Sequence, residues 1–251
     1  MAELDEIVNF LERELKTSSI PDYPGAVNGL QLANEGKVGR IVAAVDASLP
    51  VIQAAADGGA GLLIVHHGMF WQGVRPVTGN FYRKLKIAMD ANLAIYSSHL
   101  PLDVHPTLGN NIHLAQAIQL KHPEPFFDQK GLMIGLRGSW SGTRADLVSI
   151  LSQHLGVNIH VCPGGPENIK SIGLITGGAG SEVEKVAAHG VDSFITGEGP
   201  HWSYPLAEEL GLNVFYAGHY ATETSGVQAI SSVLSEKFKI PWRFLDRPTG
   251  L

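Results

Sequence analysis

The run LLIVHHGMFW, residues 62–71, ends an apolar stretch on two adjacent histidines and a glycine. Two imidazoles at the end of a buried strand either form a polar turn or bind a metal. Three further residues bear on that choice. Asp103 closes the segment HLPLD, and His219 and Glu223 stand four apart in GHYATETSG. If that segment opens a helix, His219 and Glu223 share one face and can grip one ion. Neighbouring side chains on an extended strand point in different directions, so His66 and His67 suit ligand positions on two different ions. Asp103 offers a carboxylate able to bridge two cations. Imidazole with carboxylate is a ligand set for Zn, Fe or Mn, not for Ca or for thiolate-bound metals. Each feature alone has a plainer reading: a polar turn for the histidine pair, a surface helix pair for His219 and Glu223, a turn cap for Asp103. Their convergence on strand ends, where open α/β sheets bind ligands, favours metal.

Other residues carry weaker signals. His99 stands one strand end from Asp103 and is either a proton carrier or a core histidine. Glu198 and His201, in TGEGPHW, occupy the place that VHHGMFW occupies earlier in the chain. They either support the ligands and face the substrate or belong to a polar loop. The run TGGAG (Thr176 to Gly180) lacks the lysine and spacing of a phosphate-binding loop, so a tight turn is the stronger reading. Cys162 reads as an inert buried thiol. The remaining histidines, His105, His113, His122, His154, His160 and His189, read as solvated or helix-surface positions.

The elements that must position these groups are legible from hydrophobic periodicity. VGRIVAAVDAS, GLLIV and LAIYSS read as strands, and LPVIQAAADGG, NFYRKLKIAMDAN and GNNIHLAQAIQL as helices, the first stopped at Gly58 or Gly59. KHPEPFFDQK breaks the pattern with prolines and charge and reads as a linker. Beyond it GLMIGLRGSW is a strand, and TRADLVSILSQHLG is a helix with Thr143 and Asp146 in capping-box positions. Strands alternating with helices imply an α/β protein with mixed, largely parallel sheets.

The chain also repeats itself. Arg40 to Phe70 aligns without a gap on Ser171 to His201, sharing Ile41 with Ile172, Gly59 with Gly190 and Ile64 with Ile195. Ala94 to Asp103 aligns in the same order on Val214 to Glu223, placing His99 over His219 and Asp103 over Glu223. Two ordered matches imply two similar linked α/β halves, 1–126 and 127–251, with the metal site in the cleft between them.

Composition narrows the function classes. With 251 residues, 44% hydrophobic and 17% charged, the chain is globular. Lys+Arg 18 against Asp+Glu 24 gives a net charge of -6, which argues against nucleic acid or an anionic membrane as the partner. The acidic amphipathic start, with Leu4, Ile7, Val8, Leu11 and Leu15 on one stripe, is unlike a signal peptide. One cysteine rules out an intrachain disulfide, and the chain reads as cytoplasmic.

NGLQ (Asn28 to Gln31), VDAS (Val45 to Ser48), VHHGMFW, SSHLPLDVHPTLGNN, TGEGPHW and AGHYATETSGVQAI, taken together, resemble the Nif-three-like dinuclear-metal-centre family, whose members carry the name GTP cyclohydrolase I type II homologue. The likeness runs along nearly the whole chain and is to the short bacterial form. It implies a homo-oligomer, a hexameric ring, with two divalent ions (Fe, Zn or Mn) per subunit held by His66, His67, Asp103, His219 and Glu223. The implied activity is hydrolysis of a small molecule, a nucleotide or pterin-type substrate, through a metal-bridged hydroxide, with His99, Glu198 and His201 as catalytic candidates. A non-enzymatic alternative is a regulatory or interaction protein whose ring is stapled by metal; another is metal buffering.

Overall fold

The computed structural model describes residues 1–251. The N-terminal stripe forms helix α1 (Leu4–Leu15) after a short strand β1 (Ala2–Glu3). Leu4, Ile7, Leu11 and Leu15 are buried on it, and Val8 at the margin of the stripe is half-buried. Strands β2 (Gly29–Leu32) and β3 (Lys37–Val38) lead into β4 (Ile41–Asp46), α2 (Leu49–Asp57), β5 (Leu62–His67), α3 (Gly79–Asp90) and β6 (Ala94–Ser97). The Ser48 hydroxyl caps α2 by accepting the Val51 N–H, Pro50 sits in its first turn, and Gly58 follows its last residue. Next come α4 (Leu100–Asp103), α5 (Asn110–Ala117), β7 (Lys121–Gln129) and β8 (Leu132–Thr143). Thr143 and Asp146 form the expected reciprocal capping box at the start of α6 (Arg144–Leu155), which Gly156 ends in the left-handed conformation. The chain continues through β9 (His160–Pro163), β10 (Asn168–Leu174), α7 (Val183–Ala188), β11 (Ser193–Thr196), α8 (Ser203–Glu209) and β12 (Asn213–Tyr216). It closes with α9 (His219–Thr222), α10 (Thr224–Phe238) and β13 (Trp242–Phe244). No helix is long and apolar enough to cross a membrane.

These elements form two compact units, Met1–Leu102 with Gly226–Arg247, and Asp103–Ser225 with Pro248–Leu251. The first unit holds a five-stranded sheet in the order β13-β4-β5-β6-β2, parallel except for the edge strand β2. Ile41 to Val45 and Leu62 to His66 are buried without interruption, as parallel strands covered on both faces require. Val51, Ile52 and Ala55 of α2 and Phe81 of α3 pack with Val42, Leu63 and Ile95 into one core. The second unit holds a six-stranded sheet in the order β7-β8-β10-β11-β12-β9, in which β10, β11 and β12 are parallel and the others antiparallel. Its core joins Leu147 and Leu151 of α6 to Ile172, Leu174, Ile195 and Phe215.

The two sheets repeat one plan. In each, three consecutive strands run parallel, β4-β5-β6 and β10-β11-β12. In each, the third strand is flanked by an antiparallel strand that precedes the trio in the chain, β2 or β9. Two expectations change. Residues 121–129 are no linker; they form β7, joined to β8 by a two-residue turn with Lys130 at φ 55° and Gly131 at φ 88°. Both central residues at positive φ match the right-handed twist of the flanking strands, and Pro123 and Pro125 are tolerated because β7 is an edge strand. The compact units accordingly do not divide at 126/127, a point inside β7, and Gly226–Arg247 returns to the first unit to add β13 beside β4.

Candidate metal centre

In the first unit, β5 carries His66 and His67 to the carboxyl end of the sheet, and Asp46, the last residue of β4, lies opposite His67 in register. His66 is fully buried, and its Nδ1 stands 2.9 Å from the Ser98 carbonyl. His67 places Nδ1 2.9 Å from Asp46 Oδ1. His99, just beyond β6, places Nδ1 2.9 and 3.1 Å from the two oxygens of Asp22. Since each partner is an oxygen acceptor, each Nδ1 carries the proton and each Nε2 keeps its lone pair. The three rings cluster, with centroids 4.8 Å (His66–His67), 5.0 Å (His66–His99) and 5.7 Å (His67–His99) apart. One ring nitrogen from each lies within 4.8 Å of those of the other two.

Asp22 is itself held firmly. It accepts from Asn28 Nδ2 at 2.8 Å and from the Leu100 N–H at 2.9 Å, while Asn28 Oδ1 accepts the His99 N–H at 2.8 Å. Burial pushes its pKa up, but bonds and charge from His99, with those from Asn28 and the Tyr23 N–H, hold the carboxyl below the ordinary value. Gln31 braces the loop after His67: its Oε1 accepts the Met69 N–H at 2.7 Å, and any Cβ at Gly68 would collide with its amide.

In the second unit, α9 opens on His219. Its Nδ1 is 2.8 Å from Glu198 Oε1, just beyond β11, and its Nε2 is 3.2 Å from Glu223 Oε1. The expected helical spacing thus brings His219 and Glu223 onto one face. Gly177, at φ 72°, makes room for them, because any Cβ there would collide with the Glu223 carboxylate. Burial would lower the His219 pKa, but bonds and charge from Glu223 and then Glu198 outweigh it and push it up to about 9. A ring gripped by two carboxylates holds a proton where a divalent ion can take its place. Asp103 is buried; its Oδ1 accepts from Asn110 Nδ2 at 2.8 Å and from Thr176 Oγ1 at 3.3 Å. Asn111 accepts the Thr176 N–H at 3.0 Å and donates to Ile134 O at 2.9 Å, which fixes the strand end beside Asp103.

His201 is exposed in the turn ahead of α8, where its carbonyl accepts the Tyr204 N–H. TGGAG bends at Gly177 and Gly178 and leads into a short 3-10 turn at Gly180, and Gly177 O accepts from Gly197 N, just beyond β11, at 2.7 Å. Cys162 is buried with Sγ 3.3 Å from Tyr204 O, and burial raises its pKa, which disfavours the thiolate. The supporting residues Asp22, Asp46, Asn110, Asn111 and Thr176 had no role assigned from the sequence. Their only signal there is position, since Asp46 and Thr176 stand at strand ends inside motifs already quoted. The donor set fits a divalent transition ion: imidazole Nε2 and carboxylate oxygens, each ring oriented through Nδ1 by an oxygen.

The family model Duf34/NIF3 (NGG1p interacting factor 3) matches residues 2–249. The chain is similar to the "GTP cyclohydrolase 1 type 2 homolog" of Deinococcus radiodurans, 40% identical over 98% of this chain and 94% of that one. It is likewise similar to the protein of the same name from Pyrococcus abyssi, 41% identical over 99% of this chain and 100% of that one. Among solved structures, a Thermus thermophilus protein matches with a TM-score of 0.91 and 35% identity, covering 99% of this chain and 100% of the other. Reduced HcgD from Methanocaldococcus jannaschii matches with a TM-score of 0.87 and 30% identity over 98% of each chain. A match this complete, over the whole duplicated fold and all of the motifs that hold the histidines and carboxylates, shows that the chain belongs to the Duf34/NIF3 family.

Proposed function

We propose that the chain is a dinuclear divalent-metal-dependent hydrolase of GTP cyclohydrolase type, acting on a nucleotide or pterin-type substrate. His66, His67, Asp103, His219 and Glu223 hold two divalent ions, and the active form is a hexameric ring. The observation that carries this reading is the orientation of four imidazoles. His66, His67, His99 and His219 each engage Nδ1 with an oxygen, which reserves Nε2 for a cation or a proton. The name shared by the relatives supports the substrate class.

When bound, paired divalent ions lower the pKa of water from 15.7 toward ~7 and polarise the bond to be cleaved. The chain's own residues do the rest. Asp46 and Glu198 fix the orientation of the His67 and His219 rings. Asp22 keeps the proton of His99 on Nδ1, so that Nε2 can accept a proton from a reacting group. The ring of Trp71 packs T-shaped against that of His99, 4.8 Å away, and limits its rotation.

Elemental analysis should find about two transition ions per chain, reduced in His67→Ala and Glu223→Ala. A screen of nucleotides, pterins and phosphoesters at defined metal content should find turnover. His99→Ala should keep the metal and lose activity by ~10²–10⁴-fold. No metal uptake after reconstitution would refute the reading.

A further inference from the structure

The loop Gly68–Thr78, between β5 and α3, does more than end the strand that carries the histidines. With Val27 and Phe81 it walls a cavity of about 780 Å³, lined by Phe70, Trp71, Val74 and Arg75, within the 300–1,000 Å³ usual for small-molecule sites. The walls are mostly apolar and exposed: Val74 is fully accessible, and Trp71 and Val77 partly so. A contiguous apolar patch of this kind on a surface calls for something to cover it. The cavity is preformed on one side, because a Cβ at Gly25 would stand 2.9 Å from the Trp71 carbonyl, so the two loops touch backbone to backbone.

A second cavity, of about 550 Å³, shares Gln72, Arg75 and Phe81 with the first and adds Lys84. The join is therefore cationic. Arg75 lies over the Phe81 ring at 4.3 Å and donates to Gln72, and Lys84 donates to Ala47 O at 2.7 Å. These contacts are all to neutral groups. Burial and the neighbouring Arg75 charge push the Lys84 pKa down, against the opposing pull of Asp46. Two cations that raise each other's energy beside an apolar aromatic wall favour a ligand that brings both a ring and a negative charge.

We propose that these joined cavities bind a small organic anion with a planar ring, the ring against Trp71 and the acid group between Arg75 and Lys84. Trp71 also packs against the histidine cluster, its ring 4.8 Å from His99 and 5.9 Å from His67, so one wall of the cavity is shared with the residues that hold those rings. This rests on the hydrolase reading only in naming that ligand a substrate.

The probe is anilinonaphthalene sulfonate, titrated by fluorescence into the full chain in EDTA, with neutral phenylnaphthylamine in parallel. Saturable sulfonate binding should weaken about tenfold in Trp71→Ala, the usual loss on removing a stacking ring. The double variant Arg75→Gln, Lys84→Gln should weaken it about tenfold while changing the neutral probe less than about twofold. Sulfonate binding unchanged in both variants would overturn the proposal. So would a Val74→Asp variant that breaks the assembly in sedimentation velocity while sulfonate binding stays intact, since the patch would then be an interface between copies. Because no metal is present, failure to bind leaves the metal centre standing, and failure of turnover leaves this site standing.

Discussion

Replacing Glu198 by glutamine tests how His219 is held. The Glu198 carboxylate accepts from Nδ1 at 2.8 Å, and Glu223 faces Nε2 at 3.2 Å. Against the opposing effect of burial, the two carboxylates raise the imidazole from its ordinary 6.5 to about 9, Glu223 contributing more than Glu198. A folded-state pKa above the unfolded value adds stability that is complete below about pH 6.5 and is lost as pH rises through about 9 in metal-free protein. The whole shift corresponds to at most about 3 kcal/mol. Glu198 supplies the smaller part and its side chain is 43% exposed, so solvent screening leaves it about 1 kcal/mol. Glutamine keeps an oxygen acceptor and removes the charge. In EDTA at about pH 6 the variant should melt about 2–4 °C below the unaltered protein, and the gap should close by about pH 10. Proton NMR should show the His219 titration moving down toward its ordinary value. A gap that stays constant across this range, or a His219 that already titrates near 6.5 in the unaltered protein, would refute the reasoning.

Gly177→Ala forces a Cβ against Glu223 at a positive φ and should cost about 1 kcal/mol or more in urea unfolding while releasing metal from the His219–Glu223 pair. Asp46→Ala leaves the His67 ring unanchored and should weaken metal affinity about 10–100-fold by calorimetry, with the fold retained by circular dichroism. Gly131→Val puts a β-branched residue at φ 88° in an open turn, so its cost, about 1 kcal/mol or more in urea unfolding, is backbone strain alone.

Much of the fold was legible because burial leaves a period in the chain. Ile41 to Val45 and Leu62 to Val65 are apolar at every position because both faces of their sheet are covered. Thr143 and Asp146 marked a helix start because a capping side chain acts within three residues of itself. Strand β7 was misread because its two prolines are excluded from central strands but tolerated at an edge, and edge position is a property of the sheet. The return of β13 to the first sheet was hidden for the same reason: nothing local says which sheet a strand joins.

The sequence by itself determined the α/β class, the duplicated order of strands, and the presence of histidines and carboxylates at strand ends. The spacing of His219 and Glu223 was enough to set them on one helical face, because the period of an α-helix is local. Only the tertiary structure decided which nitrogen each ring presents and which proton it keeps. Asp22 reaches His99 across 77 positions, and Asp46 reaches His67 and Glu198 reaches His219 across 21 each. The Asp46 and Glu198 bonds exist because parallel strands bring their ends together after a whole helix has intervened, and the Asp22 bond forms where the antiparallel edge strand β2 pairs with β6, so the state of each imidazole depends on residues that no local pattern connects to it.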